Sequence, residues 1–254
     1  MKTLYQALFI SDTHIPVNNK VITGEKGSLF KLIEKKKFKK IFHIGDLVCF
    51  DDFSSHDKIA GQTSDTIETF VEAKAFFSRL RKSAGAKTEI TYVEGNHELR
   101  FERYLVRKAP ELLPLNCLTL PELFELKKYN IKWKPYRERL VVDGLKVTHG
   151  SICRGLSGNS ARGELKSNKY RSGVSGHTHR LGLIHDADGA WMELGNLADP
   201  DPEISAKYMG DRDPDWQQGF GMGTCCEDEA GDKHWFLHPI QVKDNKFTVD
   251  GICY

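Results

Sequence analysis

Residues 89–98, EITYVEGNHE, combine a β-rich run with a cluster of side chains that bind metal ions. The run ends at Val93, and Asn96 and His97 follow directly after Glu94 and Gly95. A short β-branched and aromatic run bounded by glycine is typical of a buried strand. The segment therefore predicts a strand that carries an amide and an imidazole at its carboxyl end.

Clusters of the same kind recur along the chain. The other four are Asp12-Thr13-His14, Gly45-Asp46, Thr148-His149-Gly150 and Gly176-His177-Thr178-His179. Their oxygens favour hard divalent ions, and the imidazoles extend the choice to Mn, Fe, Co, Ni or Zn. Together the five clusters supply more ligands than one tetrahedral ion can use. Two ions that share a carboxylate would use them all, and such pairs act in displacement at phosphorus.

The order of elements in the first half predicts an α/β arrangement. Strand-like runs over residues 4–10, 40–44 and 89–93 alternate with helical patterns over 28–37, 65–82 and 97–109. The buried side of the third helix is expected to contain Leu99, Tyr104, Leu105 and Val106. Such alternation indicates a parallel or mixed sheet that binds ligands beyond the carboxyl ends of its strands.

The second half is rich in β-strand patterns. Asp143-Gly144 has the two-residue turn chemistry of a hairpin, and a second hairpin is predicted around residues 186–189. Later strands are predicted at residues 219–226, 235–240 and 246–249. An α/β half followed by a β-rich half predicts two sheets packed as a sandwich with helices outside.

Composition and organisation predict one soluble globular domain over residues 1–254. The chain is 39% hydrophobic and 28% charged, and its net charge of +2 indicates no overall field for nucleic acid. The clusters span residues 12–179 with no linker or repeat between them, so a division into two domains would cut the site.

The sequence also predicts a cytoplasmic protein that does not enter a membrane. The N-terminus begins a strand-like run at once and carries no signal-peptide pattern. No apolar run approaches the roughly 20 residues needed to span a bilayer. The six cysteines have no CxxC spacing, which suits reduced thiols in an intracellular compartment.

Taken in order, the motifs D-x-H, G-D, G-N-H-E, H-G and G-H-x-H resemble those of the calcineurin-like metallophosphoesterase family. The segment from Gly95 to Arg103 is similar to small stand-alone members from phages and bacteria. The resemblance implies a four-layer αββα sandwich of two mixed β-sheets flanked by helices. It also implies a dinuclear metal site at the strand ends.

Each ligand receives a role from this resemblance. Asp12, His14 and His179 would bind the first ion, and Asp46 would bridge both ions. The second ion would be completed by Asn96, His149 and His177. Two divalent ions are expected, with Mn preferred and Fe, Ni, Zn or Co as alternatives.

The two residues after Asn96 are expected to act outside the metal shell. The resemblance implies that His97 donates a proton to the leaving alkoxide or stabilises charge on the phosphoryl oxygens. The alternative is a surface histidine that opens a helix. Glu98 is expected either to orient a ligand or to cap the helix, where the dipole favours a carboxylate.

Substrate contacts are less well marked in the sequence. Candidates are Arg100 and Arg103, which follow the G-N-H-E cluster, Arg180, which follows His179, and His56 in the loop after Asp46. A guanidinium suits a phosphate, although surface arginines are common. Residues 211–218 offer an aromatic ring and two amides that could stack on a base or simply pack a loop. Arginines and lysines over residues 154–171 could approach a nucleic-acid strand.

The resulting hypothesis is a phosphodiesterase in which a metal-activated hydroxide attacks a nucleic acid or a nucleotide. Its expected partner is therefore a phosphoester substrate, with nucleic acid as one possibility. The alternatives are a phosphomonoesterase and a non-catalytic scaffold. The scaffold is disfavoured because a metal-binding residue is present at every ligand position of the motifs. Residues 45–51 lack the arginine of the protein-phosphatase pattern G-D-x-V-D-R-G, which disfavours a protein phosphatase.

Overall fold

A computed structural model describes residues 1–55, 65–136, 138–169, 171–201 and 215–254. The strands are β1 (Lys2–Ile10), β2 (Lys40–Ile44), β3 (Glu89–Val93), β4 (Ile131–Lys134), β5 (Leu140–Val142), β6 (Leu145–Thr148), β7 (Gly173–Ser175), β8 (Gly182–His185), β9 (Ala190–Glu193), β10 (Gly219–Glu227), β11 (Lys233–Gln241), β12 (Thr248–Val249) and β13 (Ile252–Cys253). The helices are α1 (Lys20–Thr23), α2 (Ser28–Lys36), α3 (Thr66–Ala84), α4 (Glu98–Lys108), α5 (Leu120–Leu123) and α6 (Asn159–Ser167).

The strands form two large mixed sheets. The first has the order β11-β10-β1-β2-β3-β4. Strands β1 to β4 are parallel to one another, β10 is antiparallel to β1, and β11 is antiparallel to β10. The second has the order β5-β6-β7-β9-β8, in which β6, β7 and β9 are parallel. Both predicted hairpins are confirmed, and Asp143 and Gly144 adopt the positive φ values of 49° and 82° that a tight hairpin turn requires.

The two sheets pack face to face and helices cover their outer faces. Both sheets contribute buried residues to the layer between them. The first sheet contributes Ala7, Phe9, Phe42, Ile44 and Val93. The second contributes Leu145, Val147, Val174, Ala190 and Met192, together with Leu194 directly after β9. The opposite side chains of β1 to β3 pack against α2 and α3. Helix α6 covers the second sheet through Ala161 and Leu165, which contact Trp191. The predicted αββα sandwich is therefore confirmed.

The buried face of α4 differs from the prediction. Leu99 and Leu105 are buried, but Tyr104 and Val106 are exposed. Phe101 is buried in their place because the inward face of the helix contains Glu98, Phe101 and Leu105, one and two turns apart. A helix with apolar residues on several sides can pack in more than one rotation about its axis. Contacts of Phe101 with Phe50 and Phe53, in the loop after β2, select the rotation that is observed.

The sandwich places the carboxyl ends of β1, β2, β3, β6 and β7 at one edge, and all five predicted clusters lie there. Three of these strands belong to the first sheet and two to the second. The edge between the sheets can therefore collect side chains from both. Within the described ranges, no helix is long and apolar enough to cross a membrane.

Candidate metal centre

All seven predicted ligands come together at this edge. Two groups have ligand atoms within 4.8 Å of one another: Asp12, His14 and His179 in the first, and Asp46, His149 and His177 in the second. Asn96 joins the second group, since its Oδ1 lies 2.9 Å from His149 Nε2 and 2.7 Å from His177 Nδ1.

The first group has the geometry of ligands that converge on a cation. His14 Nε2 and His179 Nε2 are 2.9 Å apart, and His179 Nε2 is 3.3 Å from Asp12 Oδ1. Asp12 Oδ1 is fully buried and has no hydrogen-bond partner in the part of the chain described. A buried carboxylate oxygen without a donor is costly, and a divalent ion would satisfy it.

In the second group, backbone contacts orient the ligands. His149 Nδ1 lies 2.7 Å from the Ile44 carbonyl, and donating to it leaves Nε2 to face Asn96 and, at 3.3 Å, Asp46 Oδ2. Metal-binding histidines commonly use their second nitrogen in this way. The donor set of both groups thus fits a divalent ion with mixed oxygen and nitrogen ligands.

The two groups are coupled through Asp12. Its Oδ2 accepts a hydrogen bond of 2.9 Å from the backbone N–H of His177. The intervening Gly176 allows this approach, because a Cβ there would overlap the Ser11 hydroxyl and the Asp12 carboxylate. The glycine of the G-H-T-H cluster is therefore a packing requirement of the site.

Glu98 fixes two of the loops that carry ligands. Its fully buried carboxylate accepts hydrogen bonds from the backbone N–H groups of Asp46 (2.9 Å), Leu47 (2.8 Å), Val48 (3.3 Å) and Gly95 (2.8 Å). It therefore ties the loop after β2 to the loop after β3. Of the two roles expected from the sequence, the structure places Glu98 in the one that orients ligand loops.

Much of the ligand backbone is held in an unfavourable conformation. Positive φ values occur at five of the seven candidate ligands: Asp12 (51°), His14 (56°), Asp46 (50°), His177 (75°) and His179 (58°). Few non-glycine residues adopt this region, and such strain clusters at functional sites. The backbone strain in the turns after β1, β2 and β7 directs the ligand side chains towards the centre. The stability of the surrounding fold compensates for the energy of that strain.

The charges of the centre are buried and mutually dependent. Burial alone would raise the pKa of Asp46, but the imidazoles of His149 and His97 hold that pKa well below its usual range. Asp12 behaves in the same way: burial alone would raise its pKa, but the neighbouring His179 imidazole lowers the pKa to about 2. Burial lowers the pKa of His14 well below its ordinary value, and the neighbouring His97 and His179 add to this effect. Neutral imidazoles beside ionised carboxylates are the protonation states that bind metal.

The pKa of His149 reflects the negative charge of the buried carboxylates around it. Burial would lower its pKa, yet Asp46 raises the pKa to about 10. Among the residues described, the ion-pair contacts of Asp12 and Asp46 are all with imidazoles. A divalent cation between the groups would compensate the same charge that the His149 proton compensates.

His97 lies at the centre and not on the surface. Only 7% of the residue is exposed, its backbone N–H donates to Asp46 Oδ1 (2.9 Å), and its ring Nδ1 lies 2.8 Å from the Cys49 carbonyl. Its ring packs edge-to-face on His14 at 4.7 Å. Burial lowers the pKa of His97 to about 4. The surface alternative is wrong, and Nε2 faces the site.

The four predicted substrate contacts are placed differently. Arg100 Nη2 lies 3.0 Å from His97 Nε2, which places this guanidinium beside the centre. Arg103 is exposed on α4. Arg180 is buried and donates 2.7 Å to the Arg154 carbonyl. His56 lies outside the described residues.

Two aromatic residues lie near the ligands: Trp216, the ring of residues 211–218 that the sequence offered for stacking on a base, and Tyr136, which the sequence did not single out. Trp216 packs against the His179 ring at 4.5 Å. Tyr136 lies 6.2 Å from the His149 ring, and its hydroxyl donates to the Gly150 carbonyl at 3.1 Å. Neither belongs to a motif, so only the fold brings them to the centre.

This fold and these two ligand groups define a metallophosphoesterase. The sequence matches the family of calcineurin-like phosphoesterases over residues 5–181. The chain belongs to this family, and it is a hydrolase that acts on phosphoric ester bonds.

The solved structures to which the chain is similar share little sequence identity with it. Vps29 from Cryptosporidium parvum is 14% identical with a TM-score of 0.49, covering 98% of this chain and 97% of that one. A single mutant of Vps29 from Entamoeba histolytica is 12% identical with a TM-score of 0.48 and covers 98% and 97%. An archaeal phosphodiesterase is 15% identical with a TM-score of 0.44 and covers 92% and 99%. No curated protein sequence matches the chain significantly.

Proposed function

We propose that the protein is a dinuclear metal-dependent phosphodiesterase that hydrolyses a phosphodiester of nucleic acid or of a nucleotide. The observation that carries the proposal is the pair of ligand groups, coupled through Asp12 and lying where both sheets end. The first ion would be held by Asp12, His14 and His179, the second by Asn96, His149 and His177, and Asp46 would bridge them.

Two divalent ions bound there would lower the pKa of a water nucleophile and polarise the phosphoryl oxygens. Mn is the preferred metal, with Fe, Ni, Zn or Co as alternatives. The protein contributes the rest. Glu98 holds the loops of Asp46 and Asn96 in register. His97, whose Nε2 lies 3.7 Å from Asp46 Oδ2, would assist the leaving group once the negative charge of a bound phosphoryl group raises its pKa.

A diester substrate is supported by the surroundings of the ligand loops. The segment after β2 contributes no phosphate-gripping arginine of the protein-phosphatase kind. Arg154, in the loop that follows His149, is exposed, and Arg180 Nη1 donates to its carbonyl. An exposed guanidinium in this loop suits the backbone of a polyanion.

A phosphomonoesterase is the second candidate, and the placement of Arg100 favours it. Asp51 Oδ1 and the Cys49 carbonyl hold the guanidinium of Arg100 at 2.6 and 2.8 Å, with its other nitrogen beside His97. A fixed guanidinium next to the centre would compensate the second charge of a terminal phosphoryl group.

Replacing Arg100 with alanine distinguishes the two candidates. For a diesterase, we expect kcat/KM on bis-aryl phosphate to fall less than about 10-fold, because the diester carries one charge. For a monoesterase, kcat/KM on mono-aryl phosphate should fall on the order of 100-fold. Arg107→Ala, on the same helix, is the matched control.

His97→Ala should retain bound metal and lose rate. General acid catalysis contributes about 100- to 10,000-fold, so the loss should be greatest with alkyl leaving groups, which need a proton, and smallest with nitrophenolate. The measurement is kcat for a series of diesters of increasing leaving-group pKa. An equal loss across the series would remove the acid role and leave charge stabilisation.

The decisive test of the proposed function is a matrix of metals and substrates. Purified protein with Mn, Ni, Zn or Mg is assayed on bis-aryl and mono-aryl phosphates, cyclic nucleotides, and single- and double-stranded DNA and RNA. The proposal expects metal-dependent hydrolysis of bis-aryl phosphate and of at least one nucleotide diester. A preference for mono-aryl phosphate without activity on any diester would overturn it in favour of the second candidate.

A further inference from the structure

His179 lacks the hydrogen bond that usually orients a metal-binding histidine. Such residues commonly donate their second ring N–H to a carbonyl or carboxylate, as His149 can to Ile44. His179 turns Nε2 towards His14 and Asp12, but its buried Nδ1 has no hydrogen-bond partner among the residues described. The orientation of the ring must therefore be restrained in another way.

Trp216 provides an aromatic restraint on this ring. The two ring centroids are 4.5 Å apart with an interplanar angle of 61°, an edge-to-face arrangement. Such pairs have a preferred geometry and contribute beyond simple burial. The indole therefore limits rotation of the imidazole about its side-chain bonds.

The segment that carries Trp216 is locked to the segment that carries His179. Gln217 N–H donates to the His179 carbonyl at 2.8 Å, and Leu181 N–H donates to Gln217 Oε1 at 3.0 Å. Asp215 Oδ2 lies 3.6 Å from Arg180 Nε. Residues 215–217 thus contact residues 179–181. These contacts surround the point where the His179 backbone has its positive φ of 58°.

We infer that Trp216 is a positioning residue for the first ion site, replacing by ring contact the hydrogen bond that His179 lacks. The inference rests on the proposed dinuclear centre. Trp216 lies beyond residues 5–181, over which the family match extends, and therefore outside the shared motifs. Loss of the indole should weaken the ion held by His179 and spare the ion held by His149 and His177.

The experiment is a titration of metal-free protein with Mn²⁺ alone, with free Mn²⁺ followed by electron paramagnetic resonance. Wild type should bind two ions. Trp216→Ala should bind one ion about 10-fold or more weakly, because supports of metal ligands are typically worth 10- to 100-fold in affinity. Its remaining site should match that of His14→Ala, which removes a ligand of the first ion only.

Two further variants separate positioning from general damage. Trp216→Phe keeps an aromatic ring and should recover most of the affinity for the first ion. Phe236→Ala removes an exposed ring on β11 and should bind both ions as wild type does. Failure of wild type to bind two ions would remove the proposed centre itself. Two ions bound normally by Trp216→Ala, or equal weakening of both ions without rescue by phenylalanine, would overturn this inference alone.

Discussion

Asp46→Ala should abolish phosphoester hydrolysis, with kcat reduced by on the order of 1,000-fold or more, about 4 kcal/mol in the activation barrier. Asp46 is almost fully buried; its Oδ1 accepts a hydrogen bond from the backbone N–H of His97, and its Oδ2 lies 3.3 Å from His149 Nε2. Its removal deprives both proposed ions of their shared carboxylate. It also takes away the anion that holds His97 and His149 in place.

Two measurements check this expectation: turnover of bis-aryl phosphate and metal content after dialysis. Asp188→Asn is the control, since Asp188 is exposed in the hairpin turn between β8 and β9. It should keep full activity and full metal content. Turnover by Asp46→Ala within about 10-fold of wild type would remove the dinuclear mechanism.

Glu98→Ala should lower both stability and metal binding. Four backbone N–H groups would lose their acceptor at once, and each unsatisfied buried donor costs about 1–3 kcal/mol. The free energy of unfolding should therefore fall by about 3 kcal/mol or more. The loops that carry Asp46 and Asn96 would no longer be tied together.

Chemical denaturation and Mn²⁺ titration test this prediction. Glu102→Ala is the matched control, because Glu102 is exposed one turn further along α4. Glu98→Gln keeps one acceptor oxygen and should give intermediate stability. If Glu98→Ala and Glu102→Ala had equal stability and metal affinity, the carboxylate would not be the link between the loops.

The elements nearest the centre were predictable because their local patterns agree with their surroundings. The runs over residues 40–44 and 89–93 are strands with those bounds, since buried parallel strands are mostly apolar and these two end just before glycine-containing turns. Helix α4 was predicted in place but not in rotation. Its orientation depends on Phe50 and Phe53, which contact Phe101 only in the folded chain.

The convergence of the ligands was also predictable, because strand ends of one sandwich edge must meet. Their supports were not. Glu98 reaches backbone groups that lie 50 to 52 residues earlier in the chain, and Trp216 reaches His179 from outside every motif. Contacts between distant segments leave no periodicity or spacing in the sequence. For the same reason, Arg180 follows His179 in the chain yet its side chain is directed to the Arg154 carbonyl.

The most direct test is a Mn²⁺ titration of metal-free wild-type protein while the hydrolysis of bis-aryl phosphate is followed. With two ions cooperating on one phosphodiester, the rate should rise until two equivalents of Mn²⁺ are bound and then stay constant. A rate that saturates at one equivalent, or a fully loaded protein that leaves the diester intact, would contradict the account.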